Sequence, residues 1–96
     1  MKQVIFDFDK IETMDDFYRL ALEKLSLPDY FGNNLDALWD YITGAIELPV
    51  KIDFENLTLV KLNDFEALTN LFEDANMELG DQFQFEYYIK DEELED

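Results

Sequence analysis

The sequence contains no cysteine and no histidine among its 96 residues. Without cysteine the chain forms no disulfide bond and offers no thiolate ligand to zinc. Without histidine it has no imidazole to act in acid–base catalysis or to activate a nucleophile. These two absences exclude the mechanisms of many common hydrolases and metalloenzymes.

Basic residues are scarce. Seven Lys and Arg residues stand against 24 Asp and Glu residues, which gives a formal net charge of −17 and a pI near 4.1. A charge of this sign and size repels nucleic-acid phosphates and anionic lipids. We therefore expect no direct nucleic-acid binding and no membrane binding, and a partner that is basic.

Long apolar runs are also missing. No stretch reaches transmembrane length, and the apolar run Val4-Ile5-Phe6 is too short for the core of a signal peptide. These features predict a cytoplasmic protein. Apolar residues nevertheless make up 48% of the chain and aromatic residues 16%, which indicates one folded domain over residues 1–90. Residues 91–96 form a predicted acidic C-terminal tail.

The spacing of apolar residues predicts alternating strands and helices. We expect strands at residues 4–8, 50–54 and 83–89. The first should be mostly buried, and the last should have one apolar face that is buried. Helices are expected from a Thr13 cap to before Pro28, from an Asn33 or Asn34 cap to Gly44, and from a capping box at Asn63–Glu66 to Gly80. Residues 55–63 are ambiguous. The order β-α-α-β-(α)-α-β predicts an α/β fold with a small three-stranded parallel sheet packed with three to four helices.

The second predicted helix has two contrasting faces. At 100° per residue its core face consists of Leu35, Leu38 and Ile42. Asp36, Asp40 and Thr43 cluster on another face, and Trp39 lies at the border between the two. Like charges at i and i+4 destabilise a helix by roughly 0.2–0.5 kcal/mol, so helix stability does not account for Asp40. The pattern alone is compatible with a solvated acidic face or with a carboxylate plug for a basic pocket.

A second acidic pair follows the first predicted strand. The run Val4-Ile5-Phe6-Asp7-Phe8-Asp9 resembles the start of haloacid-dehalogenase phosphotransferases, in which Asp7 and Asp9 would hold magnesium. The resemblance stops at Lys10, and the chain is too short for the rest of that fold. Ordinary surface carboxylates at a strand end are the alternative.

A longer resemblance is to the barstar family of intracellular inhibitors of barnase-type ribonucleases. It is carried by the segment LPDYFGNNLDALWD at residues 27–40, followed by Thr43 and Gly44. The resemblance implies a non-catalytic protein without cofactor or metal, a monomer when free, that binds a basic ribonuclease in a 1:1 complex. An antitoxin or immunity role would follow.

The resemblance also implies roles for individual residues. Asp40 would meet the arginines and the catalytic histidine of the ribonuclease, Asp36 would reach its rim, and Tyr30 would stack over that histidine. The full set of implied partner-binding residues is Tyr30, Phe31, Gly32, Asn34, Leu35, Asp36, Trp39, Asp40, Thr43, Gly44 and Asp74.

This sequence also departs from the family pattern. Phe31 lacks a phenol, Asn33 replaces an acid, Ala45 stands at a tryptophan position, and Asp74 is shorter than the family's Glu. The segment 55–63 is shorter than in the family by a few residues, so the family's third helix could be reduced to a turn in this chain. Two alternatives stay open: an acidic nucleic-acid mimic that blocks another basic protein, and a minimal magnesium-dependent phosphotransferase that uses Asp7 and Asp9.

Overall fold

A computed structural model describes residues 1–90 of the chain. Its centre is a three-stranded parallel sheet formed by β1 (Lys2–Asp7), β2 (Val50–Leu57) and β3 (Phe83–Ile89), in the order β1-β2-β3. Val4 of β1 pairs with Ile52 of β2, which in turn pairs with Phe85 of β3. The predicted α/β class and the order of elements are confirmed. The predicted acidic tail at residues 91–96 lies outside the described residues.

Four helices connect the strands: α1 (Met14–Lys24), α2 (Leu35–Gly44), α3 (Leu59–Asp64) and α4 (Glu66–Leu79). The capping residues predicted for the first two are confirmed. Thr13 accepts a hydrogen bond from the Asp16 N–H in a full capping box, and Asn34 caps α2. Short 3₁₀ turns at Phe8–Lys10 and Gly80–Gln82 complete the chain. No helix within residues 1–90 has the length and apolar character needed to cross a membrane.

Helices cover one face of the sheet. The rings of Phe17 in α1 and Phe72 in α4 both pack against Phe54 of the central strand, with centroids 6.1 Å and 5.1 Å away. Right-handed crossovers that advance in one direction through the order β1-β2-β3 place their helices on the same side. Among residues 1–90, the other face of the sheet is therefore left without helices.

The open face corrects the expectation that the first strand is mostly buried. Ile5 points away from the helices and is 37% exposed, whereas Val4 and Phe6 lie in the core. Phe8 is buried as predicted, but it belongs to the 3₁₀ turn after β1 and not to the strand.

The open face also carries a buried acid. Asp53 is only 2% exposed. Gln3 donates a hydrogen bond to its Oδ2, and the Lys51 ammonium lies 3.6 Å from its Oδ1. Lys51 also contacts Glu86 of β3 at 3.2 Å. The three strands are thus linked across this face by charged and polar side chains.

Residues 55–63 divide between the end of β2 and the six-residue helix α3, so the family's third helix is not reduced to a turn. Thr58 caps α3 by accepting a hydrogen bond from the Lys61 N–H at 3.1 Å. The predicted capping box at Asn63–Glu66 is therefore wrong. Asn63 and Asp64 are the last residues of α3, and α4 starts after the buried Phe65 without a side-chain cap.

The prediction that one apolar face of the last strand is buried is only partly confirmed. Phe83 is fully buried and Phe85 is half-buried, but Tyr87 is 36% exposed and Ile89 45%. In the described part of the chain β3 is an edge strand, with β2 as its one strand neighbour. Its second half extends beyond the tightly packed part of the core.

Candidate functional site

The loop before α2 is held by short-range hydrogen bonds. The N–H of Phe31 donates to the Pro28 carbonyl at 3.0 Å. Asn34 Oδ1 accepts from the Ala37 N–H at 2.7 Å, and its Nδ2 donates to the Gly32 carbonyl at 3.2 Å. A Cβ at Gly32 would lie 3.0 Å from Asn34 Nδ2, so a side chain at Gly32 would press on the cap. The entry to α2 is consequently fixed by Asn34.

Two aromatic side chains in this loop have different surroundings. Tyr30 is 88% exposed and projects from the loop into solvent. Phe31 is half-buried, and its ring lies 6.1 Å from that of the buried Tyr18 in α1. Phe31 thus packs partly on the core, and Tyr30 is the aromatic ring that the loop leaves exposed to solvent.

The inner side of α2 holds the helix on the core. Leu38 and Ile42 are buried, and Trp39 is half-buried at the edge of the core. The phenol of Tyr41 donates a hydrogen bond to the Leu25 carbonyl at 2.7 Å. Burial, followed by the charge of Glu47, raises the pKa of Tyr41 above its ordinary value, so the phenol remains a neutral donor.

The outer side of α2 carries two carboxylates. Asp36 and Asp40 are both exposed and lie one turn apart. Among residues 1–90 neither of them makes an ion pair. The ion pairs of this part of the chain join Lys2 to Glu47, Arg19 to Asp16, Lys51 to Asp53 and Glu86, Lys61 to Glu12, and Lys90 to Asp9. The two charges on α2 are therefore not neutralised locally.

The structure brings most of the predicted site residues onto one continuous stretch of loop and helix, here called the α2 patch. Exposed members are Tyr30, Gly32, Asn34, Asp36, Asp40 and Gly44, and half-buried members are Phe31, Leu35, Trp39 and Thr43. Thr43 Oγ1 donates to the Trp39 carbonyl at 2.8 Å. The remaining predicted residue, Asp74, is exposed on α4, the helix that packs against α2.

Sequence reasoning missed one residue that supports the patch, Tyr41. The available signal was its position three residues after Leu38, because this spacing places Tyr41 beside the core face of the helix. Its partner at Leu25 could not be inferred, because the contact depends on how α1 and α2 pack.

The acidic pair after β1 has contacts of its own. Asp7 Oδ1 accepts hydrogen bonds from Asn56 Nδ2 at 2.8 Å and from the Asp9 N–H at 3.0 Å. These two hydrogen bonds, the first being the larger cause, lower the pKa of Asp7. Asp9 pairs with Lys90 at 2.9 Å. Within residues 1–90 no three acidic side chains are grouped so as to hold a metal ion.

Together, the sheet, the helix caps and the acidic helix define a small acidic α/β protein whose α2 patch is supported by the core. Comparison with known proteins agrees with this class. The family described as Barstar (barnase inhibitor) matches residues 1–90. The protein named "Putative ribonuclease inhibitor YrdF" from Bacillus subtilis (strain 168) is 36% identical in an alignment of length 92, and the match covers 88% of this chain and 96% of that relative. The chain belongs to the barstar family.

Proposed function

We propose that this protein inhibits a small basic ribonuclease by inserting the α2 patch into its active site. The observation that carries the proposal is the pair Asp36 and Asp40. Both are exposed on a helix anchored to the core, and neither forms an ion pair with the residues that the structure describes. Family membership and the name of the Bacillus subtilis relative support the same function. The protein itself would catalyse no reaction.

The proposed mechanism depends on the charge that a ribonuclease needs. An enzyme that binds RNA phosphates concentrates positive charge in its active site, and a protein of net charge −17 attracts it from a distance. After contact, Asp40 would occupy the position of an RNA phosphate. Its carboxylate would be desolvated and would pair with arginine side chains of the enzyme. The exposed ring of Tyr30 and the edge of Trp39 would add apolar contact area.

The rigidity of the patch favours tight binding. Asn34 fixes the first turn of α2, while Leu38 and Ile42 fix its inner side. Side chains that are already positioned lose less entropy on association, so more of the interaction energy appears as affinity. A cytoplasmic inhibitor of this kind would act as an antitoxin or immunity protein, in a 1:1 complex with its target.

The test is a titration of barnase, as a representative target, with the purified protein while RNA cleavage is followed. Activity is expected to fall to zero at one equivalent, and Asp40→Asn should require a much higher concentration. Glu23→Gln, which removes an exposed acid from α1, is the control and should inhibit like the natural sequence.

Full cleavage activity at excess protein, on barnase and on further barnase-type ribonucleases, would contradict the proposal. The same protein should release no phosphate from phosphomonoesters with magnesium. Turnover that disappears in Asp7→Asn would favour the phosphotransferase alternative.

A further inference from the structure

A groove of about 320 Å³ lies between α3, α4 and the end of β3. Its apolar surface is formed by Leu59, Leu62 and Tyr87. Leu59 is 69% exposed and Tyr87 36%, so both retain apolar area that the fold does not bury. The groove shares no residue with the α2 patch.

The wall of the groove is acidic. Glu66 and Glu73 lie two turns apart on α4, both are exposed, and neither makes an ion pair within residues 1–90. No Lys or Arg occurs in the sequence between Lys61 and Lys90. The ammonium of Lys61 is used elsewhere, because it donates to the Phe8 carbonyl and to Glu12. Within the described residues, the carboxylates of this wall are thus not neutralised by an ion pair.

Two amide side chains also line the groove. Asn63 at the end of α3 and Asn70 in α4 both line the groove. Each amide has donors and an acceptor, which suits the N–H and C=O groups of a peptide backbone.

We infer that this groove binds an extended basic segment of a partner protein, in which an aliphatic or aromatic side chain is flanked by Lys or Arg. The apolar side chain would pack on Leu59, Leu62 and Tyr87, and the cations would lie beside Glu66 and Glu73. A second copy of this chain does not fit that chemistry, since two molecules of charge −17 repel one another.

The experiment is an NMR titration of the isotope-labelled protein at about 0.15 M salt, where long-range attraction is screened. The probe is the blocked peptide Lys-Leu-Lys-Phe-Lys-Leu-Lys, and the control peptide replaces Leu and Phe with Gly at equal charge. We expect saturable shifts at α3, the outer side of α4 and Tyr87. The probe should bind about tenfold more tightly than the control peptide, as burial of one anchoring side chain implies.

Matched variants locate the site. Leu59→Gln and Glu73→Gln should each weaken binding of the probe severalfold. Met77→Gln, at a side chain that is 82% exposed on α4, and Glu23→Gln on α1 should leave it unchanged. The inference is overturned if the two peptides bind equally, if neither binds, if the shifts centre on α2, or if Met77→Gln weakens binding as much as Leu59→Gln.

Discussion

The phenol oxygen of Tyr41 lies 2.7 Å from the carbonyl oxygen of Leu25 and donates a hydrogen bond to it. Leu25 is the C-terminal cap of α1, and the carbonyl groups at a helix end have no partner within the helix. Tyr41 therefore satisfies an open acceptor of α1 while it sets the position of α2. The contact thus joins α1 to the helix that carries Asp36 and Asp40.

Tyr41→Phe should lower the free energy of unfolding by about 1–3 kcal/mol, because the Leu25 carbonyl is left partly buried without its donor. Urea unfolding measures the change. Tyr30→Phe is the matched control, since Tyr30 is 88% exposed and its phenol should not affect stability. Equal stability of Tyr41→Phe and the natural sequence would show that the hydrogen bond does not hold α2 in place.

The start of α1 predicts a dependence of stability on pH. Asp16 accepts hydrogen bonds from the N–H groups of Glu12 and Thr13 and pairs with Arg19. The Glu12 N–H, then the Arg19 side chain, lower the pKa of Asp16 below its ordinary value of 3.8. A lowered pKa in the folded state means that the stabilisation is complete above pH 3.8 and is lost as the pH falls through the folded-state pKa.

Asp16→Asn should therefore be less stable than the natural sequence at neutral pH, and the difference should shrink as the pH falls below 3.8. Unfolding in urea across this pH range measures the difference. Asp15→Asn, one position earlier and exposed, serves as the control. A difference that stays constant with pH would mean that the carboxylate charge of Asp16 does not stabilise the capping box.

The rate of association with the ribonuclease should fall as the salt concentration rises. The net charge of −17 acts over a distance that shrinks to about 10 Å at 0.1 M salt. The association rate with a barnase-type ribonuclease should therefore fall steeply as salt rises, while the dissociation rate changes less. Stopped-flow mixing measures both. If the association rate does not change with ionic strength, the acidic surface does not attract the ribonuclease and contributes only to solubility.

Local signals predicted α2 well because its determinants are local. Asn34 caps the helix through a side chain three residues from its donor, and the burial of Leu38 and Ile42 follows the helical period. The exposure of Asp36 and Asp40 follows from the same period. The sequence could therefore predict this part of the candidate site.

The errors arose where a second element decided the outcome. Asn63 and Asp64 could have capped α4, but the Thr58 cap placed both in α3. Ile5 is an apolar residue in an apolar run, which predicts burial, but the helices of residues 1–90 pack on the other face of the sheet and leave it 37% exposed. The burial of Asp53, for which no prediction was made from the sequence, likewise involves Gln3 of the neighbouring strand. Each of these depends on long-range packing, which periodicity does not contain.

Neighbouring residues of α2 should separate binding from folding. Asp40 is exposed and has no ion pair within residues 1–90, whereas Leu38 is fully buried. Leu38→Ala should therefore cost about 2–5 kcal/mol of stability through the cavity it leaves. Asp40→Ala should leave stability unchanged or slightly higher, because it removes the repulsion from Asp36 one turn away.

For affinity, Asp40→Ala should have a larger effect than Leu38→Ala, the reverse of the order expected for stability. Asp40→Ala should weaken affinity for the ribonuclease by about 2–5 kcal/mol, the range for buried interfacial charges, for which barnase and barstar are themselves a standard example. Trp39→Phe should affect both properties to an intermediate degree, since Trp39 is half-buried between core and surface. The measurements are urea unfolding and ribonuclease affinity for each variant. If Asp40→Ala destabilises the fold as much as Leu38→Ala and binds normally, Asp40 is a structural residue and the α2 patch is not the inhibitory surface.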